Sequence, residues 1–143
     1  LPALSKEILE ALQDNIEDEF TRISPVVIYT NTAEERGTIN LLESVEDFDS
    51  IEVFYKDVTE NARGCFSSVK IENPLQKYFN TKIIAPVKNS SSQLRYATTT
   101  FFINSKTIEV VDYTAGFIQN DTVSFYSSQE ILIDKIIGYR KEM

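Results

Sequence analysis

The sequence predicts an α/β fold: one domain over residues 1–143 built on a central mixed sheet, with a β-hairpin and flanking helices. Three observations predict it. Leu4, Ile8, Leu9, Leu12 and Ile16 recur near helical spacing within residues 4–20, giving an apolar stripe opposite an acidic face. Residues 25–57 read strand, helix, strand, the order of a parallel pair joined by a crossover helix. Residues 96–113, YATTTFFINSKTIEVVDY, hold two runs of aromatic and β-branched residues around a short polar break, the signature of a hairpin.

Taken in order, the first helix ends where Ser24-Pro25 breaks the pattern, and Val26-Val27-Ile28-Tyr29 is a continuous apolar run suited to a strand buried on both faces. Thr30-Asn31-Thr32 offers side-chain oxygens to cap a helix over residues 33–48, in which Ile39, Leu42 and Val45 share a face. Glu34 and Glu35 suit the positive end of that helix, and Gly37 weakens it by about 1 kcal/mol. Ile51–Tyr55 is the second strand, ending near Asp57. Asn73-Pro74 opens a short helix through Phe79, because proline suits a first helical turn. Lys82–Val87 is a strand that Pro86 confines to an edge or an end, and residues 89–92 form a polar loop. Tyr96–Ile103 and Thr107–Val111 make the hairpin through Asn104-Ser105-Lys106. Thr114–Tyr126 reads as a loop with turns at Gly116 and Asn120-Asp121. Ser127-Ser128-Gln129-Glu130 fits a capping box for a last helix carrying Ile131, Ile133, Ile136 and Ile137.

A chain of 143 residues that is 42% hydrophobic and 25% charged belongs to the globular class, and at this length folding buries roughly two-thirds of the unfolded surface. The net charge of −8 is uneven: residues 1–60 hold 15 acids and 4 bases, residues 61–143 hold 7 acids and 10 bases. Nucleic acid is therefore an unsuitable partner, since phosphate binding needs a concentrated basic face. A cationic protein surface suits the acidic half, and a solvated acidic face accounts for the same residues. With no histidine, Ser-His-Asp hydrolysis and imidazole-ligated metals are excluded within the chain. Cys65 stands alone, which leaves no disulfide, no C-x-x-C pair and no thiolate zinc site, and fits a partly buried structural thiol. No apolar run is long enough for a membrane helix, and the chain begins at Leu1, as a processed product or excised fragment would.

Candidate chemistry is sparse. Glu43, Glu46, Asp47 and Asp49 cluster around a helix end and suit either Ca²⁺ or, lacking the alternation and glycine of an EF-hand, a solvated helix terminus. Neither a G-x-G-x-x-G nor a Walker loop is present, and Arg63-Gly64 alone makes no phosphate cradle. Asn89-Ser90-Ser91 and Asn120-Asp121-Thr122 match glycosylation acceptors. Tyr113, Phe117, Phe125 and Tyr126 suit either an aromatic binding surface or a core. No residue is assigned as catalytic, cofactor-binding or metal-ligating.

Several segments together resemble a known family. The first helix ends before PVVIYTN, AEERGTINLLESVEDF and SIEVFYKDV follow, and TTTFFINSKTIEVVDY and SSQEILIDKII come later. This resembles the amino-terminal, thioredoxin-like part of the auxiliary subunits of gliding-motility-type ABC transporters. Leu4-Ser5 with Ile8, Leu9 and Leu12, Glu52–Asp57, and Thr107–Tyr113 ending in Val-Val-Asp-Tyr carry the likeness; Asn104-Ser105-Lys106 replaces the family's glycine-containing turn. The resemblance implies a thioredoxin-like domain, part of a larger membrane-anchored protein, on the outer face of the bacterial cytoplasmic membrane. It implies a non-enzymatic interaction module, without cofactor or metal, engaging a transporter or envelope protein. Thr30-Asn31-Thr32-Ala33 stands where a redox member carries C-x-x-C, and Ala97-Thr98-Thr99 where it carries cis-proline, so thiol exchange is not expected. The alternatives are a soluble acidic binding or inhibitor protein and a carboxylate-dependent hydrolase.

Overall fold

A computed structural model describes residues 5–23, 25–58, 65–87 and 92–140, with the backbone alone over 16–23. Among the described residues, helix α1 (Lys6–Ile23) precedes nine strands: β1 (Val26–Thr30), β2 (Ile39–Asn40), β3 (Phe48–Asp57), β4 (Phe66–Glu72), β5 (Tyr78–Pro86), β6 (Gln93–Ile103), β7 (Thr107–Gln119), β8 (Thr122–Tyr126) and β9 (Ile131–Arg140). They form two antiparallel sheets, ordered β1-β9-β3-β4 and β2-β7-β6-β5, with β8 added to β7. The sheets face each other across an apolar layer in which Ile28, Ile51, Val53 and Ile136 of the first meet Phe101, Ile103 and Ile108 of the second. The fold is a β-sandwich, which overturns the α/β, thioredoxin-like expectation.

Each departure has a local cause. The helix expected over 33–48 is a loop, β2 and one 3₁₀ turn, Val45–Asp47. Asn31 displaces it: its Oδ1 accepts from Glu35 N (2.9 Å) and its Nδ2 donates to Glu35 O (2.8 Å), while Glu34 sits at φ 54°. Such side-chain bonds give the backbone an alternative to helix. Leu41 N and Leu42 N then donate to Lys106 O and Ile28 O, and Leu42 points outward, 74% exposed. The supposed parallel pair, β1 and β3, do run in the same direction, but β9 lies between them and pairs antiparallel with both.

The last helix is strand β9, an inner strand paired with β1 and β3. Its isoleucines mimic helical spacing because of a bulge. Phe54 pairs with Lys135 and Tyr55 with Ile133, so Asp134 is an extra residue, and Ile131 and Ile133 before it share the core face with Ile136 after it. The step of three that suggested a helix is a two-residue period with one residue inserted. β-Branched side chains suit that strand better than a helix. Gly138 is required there, since a Cβ would lie 2.6 Å from the Phe48 ring.

The hairpin is present in both arms and turn, yet it is longer than expected and lies within its sheet: Gln93 pairs through to Gln119. The loop expected over Thr114–Tyr126 is the far half of β7 and all of β8; only the turn at Asn120-Asp121 holds, with Asn120 at φ 55°. The helix expected from Asn73 is a turn with Asn73 and Gln76 at positive φ, 46° and 57°. β5 begins earlier than the expected Lys82–Val87 and is, as Pro86 indicated, an edge strand.

Candidate functional site

At one end of the sandwich the inward face of the second sheet carries Ala85, Ala97 and Ala115 in place of larger residues. Arg95, paired with Ala85 and Phe117, occupies that space with its side chain 1% exposed. Its Nη2 lies 3.2 Å from Asp57 Oδ2, at the end of β3, and also pairs with Glu130 Oε2, just before β9. Arg95 Nη1 donates to the Tyr126 hydroxyl at 2.9 Å, and that hydroxyl is 3.3 Å from Glu130 Oε1, to which it donates. Val58 N donates to Glu130 O at 2.9 Å and closes the group.

Three segments, the end of β3, the end of β8 and the residue before β9, thus converge on the one guanidinium that β6 carries. Its planar fork and permanent charge make Arg the cation suited to a buried multidentate role. A carboxylate hydrolase needs two convergent acids across a cleft, and Asp57 and Glu130 do converge. Arg95 fills the space between them, and Asp57 and Arg95 are sealed from solvent at 1% exposure. Chemically the group is a clamp that holds opposite charges in place at this end of the sandwich. The sequence reading missed it because Asp57, Arg95 and Glu130 are far apart in the chain and no spacing links them. The one local signal was Glu130, read as half of a capping box.

The four aromatics divide between two faces. Tyr113, Phe117 and Tyr126 lie on the inward face of β7 and β8, with Phe117 and Tyr126 rings 5.9 Å apart. Phe125 is on the outward face, 60% exposed, edge-on to Tyr96 at 6.0 Å. Gly116 lies between them, and a Cβ there would meet Ser124 O at 2.1 Å, so only glycine admits β8 this close. Leu94, Ile84 and Val123 extend the outward face as exposed apolar residues.

α1 is the second exposed feature. Every described side chain from Ser5 to Asn15 is exposed, and Ile8, Leu9 and Leu12 are 50%, 50% and 49% accessible. Glu7, Glu10 and Asp14 fall on the face opposite that stripe.

The acidic quartet separates into different roles. Glu43 pairs with Arg140 at 3.4 Å, Glu46 accepts from Ser105 Oγ at 2.9 Å, and Asp49 O accepts from Asn73 N. Among the described residues no three of His, Cys, Asp and Glu come together as metal ligands. Cys65 is partly buried against the alanine-lined cluster. Asn120 is exposed at the hairpin turn; Asn89 and Arg63-Gly64 lie outside the described residues. An opening of about 680 Å³ beside β5 is lined by Tyr55, Lys82, Thr98 and other polar groups, none a carboxylate. Among the described residues no helix is long and apolar enough to cross a membrane. No family model matches the chain, and no curated protein matches it in sequence.

Proposed function

We propose that this chain is a non-catalytic interaction module that presents α1 to a protein partner with an apolar groove and a positive net charge. The observation that carries the reading is the uncovered stripe of Ile8, Leu9 and Leu12. An isolated helix of this length is marginal in water, and an amphipathic one gains its stability by laying the apolar face into a groove. The acids on the opposite face, in the half of the chain with net charge −11, set the sign of the attracting field.

Of the transporter-auxiliary reading, the interaction module is the part retained. Two helices that carried the likeness, over 33–48 and after Ser127, are not helices, so the order of elements no longer supports the finer assignment. The experiment is a photo-crosslinking residue placed at Leu9 in cells of the source organism, with Asn80 on exposed β5 as control. An adduct with a cationic protein at position 9 alone, lost in Ile8→Ser/Leu12→Ser while thermal unfolding of the sandwich is unchanged, is the expected outcome. Equal adducts at both positions, or a sandwich destabilised by the double substitution, overturns the reading.

A further inference from the structure

The edges of the two sheets differ in how they are protected. β4 carries Lys70 and Glu72 along its exposed length. β5 has Lys82 at its centre and ends in Pro86, which has no N–H to offer. β1 is bulged between Val27 and Tyr29. These are the usual devices against edge-to-edge pairing. β8 has none: Thr122-Val123-Ser124-Phe125-Tyr126 is uncharged, free of proline, paired among the described residues on one side only, and exposed at all five positions.

The geometry of that edge is self-complementary. Gln119 and Thr122 close a two-residue turn, and in such a hairpin the flanking residues form the hydrogen-bonded pair. Alternation then turns the backbone groups of Thr122, Ser124 and Tyr126 toward β7, and those of Val123 and Phe125 toward open solvent. In an antiparallel pairing about Ser124, Val123 of one strand faces Phe125 of the other, so each open N–H meets an open C=O. Thr122 faces Tyr126, Ser124 faces itself, and Asp121 faces Ser127. No charge opposes a like charge, although the whole chain carries −8. Val123 and Phe125, exposed at 47% and 60%, become cross-strand neighbours on the outward face beside Leu94 and Tyr96.

We propose that the chain dimerises by antiparallel pairing of β8 with β8 of a second copy, about a two-fold axis through Ser124. The sheet β2-β7-β6-β5 then continues through both β8 strands into its copy. An isologous contact of this kind closes on itself and stops at two chains. The inference is independent of α1, and salt separates the two: high ionic strength screens repulsion between two chains of −8 and strengthens the dimer, whereas it weakens attraction to a cationic partner.

The test is the oligomeric state of the full chain by sedimentation equilibrium from micromolar to submillimolar concentration. A concentration-dependent dimer is expected. Val123→Pro removes an outward N–H without touching the pairs to β7 and abolishes it. Ser124→Lys sets two ammonium groups face to face across the axis and weakens the dimer about fivefold. Ser124→Glu does the same, and an equimolar mixture of the Lys and Glu variants restores a heterodimer. Far-UV circular dichroism of each variant confirms that the sandwich is retained. A monomer at every concentration, a dimer indifferent to Ser124→Lys, or a mixture that fails to pair overturns the proposal; the first of these leaves the edge to a strand of another protein.

Discussion

Toward one end of the sandwich Ile28, Ile51, Val53, Phe101, Ile103 and Ile136 meet as an apolar layer; toward the other, small alanines make way for Arg95 among Asp57, Glu130 and Tyr126. The apolar layer is non-directional, and side chains of similar volume can exchange within it at modest cost. The charged end is directional, because each donor of Arg95 needs its acceptor at one place. The difference bears on function. The charged end holds Tyr126, the last residue of β8, so the hairpin with the open edge is oriented by a clamp rather than by general burial.

Breaking the clamp is expected to have the largest effect. Arg95→Met removes the cation and leaves Asp57 and Glu130 buried beside each other, which should cost about 3–5 kcal/mol in urea unfolding. Glu130→Gln keeps the Arg95–Asp57 pair and should cost about 1–3 kcal/mol. The two substitutions should be strongly non-additive, since both act on one network. A protein carrying Arg95→Met with wild-type stability and an unmoved hairpin would mean that packing alone closes this end.

The same contrast explains what the sequence disclosed. Elements governed by local pattern were legible: α1 from its stripe, β3 from its alternation, and the Asn104–Lys106 turn, where Asn104 N donates to Thr107 O at 2.8 Å. Elements shaped by an inserted residue were not. The bulge at Asp134 turned a strand into an apparent helix, and another between Thr100 and Phe101 places Val110 and Tyr113, three apart, on one face of β7. The clamp was illegible for a further reason: its members are joined by tertiary contact alone, and a lone buried Arg looks like any surface Arg in a sequence.

At the apolar end a subtraction should be felt as volume and not as orientation. Ile51→Val, at a site with no exposure, should cost about 0.5–1.5 kcal/mol while the near-UV signal of the hairpin aromatics stays unchanged. A shift in that signal would show that the two ends are coupled through the layer.

The apolar end also contains one titratable group, Tyr29, whose pKa is raised from 10.0 to about 12 by burial first and then by the nearby charges of Glu35 and Asp134. The fold favours the protonated phenol. Its contribution is therefore complete below pH 10 and is lost as pH rises toward about 12. Unfolding followed between these limits should show stability falling with pH, and Tyr29→Phe should flatten that part of the slope. An unchanged slope in the variant would assign the loss to the other tyrosines, among them Tyr139, whose pKa the hydrogen bond to Glu52 raises.

The smallest effect isolates burial itself. Arg140 and Glu43 form an arginine–carboxylate pair like that of Arg95 and Glu130, but their side chains are 28% and 37% exposed. Water screens the attraction and solvates either partner when the other is removed, so Glu43→Gln should change stability by less than about 1 kcal/mol and lose even that at high salt. Both pairs join a guanidinium to a carboxylate, but one is buried and shared with Asp57 and Tyr126 while the other is open to solvent. If Glu43→Gln cost as much as Glu130→Gln, desolvation would not be what sets the clamp apart, and the hairpin's orientation would have to rest on the geometry of Tyr126 alone.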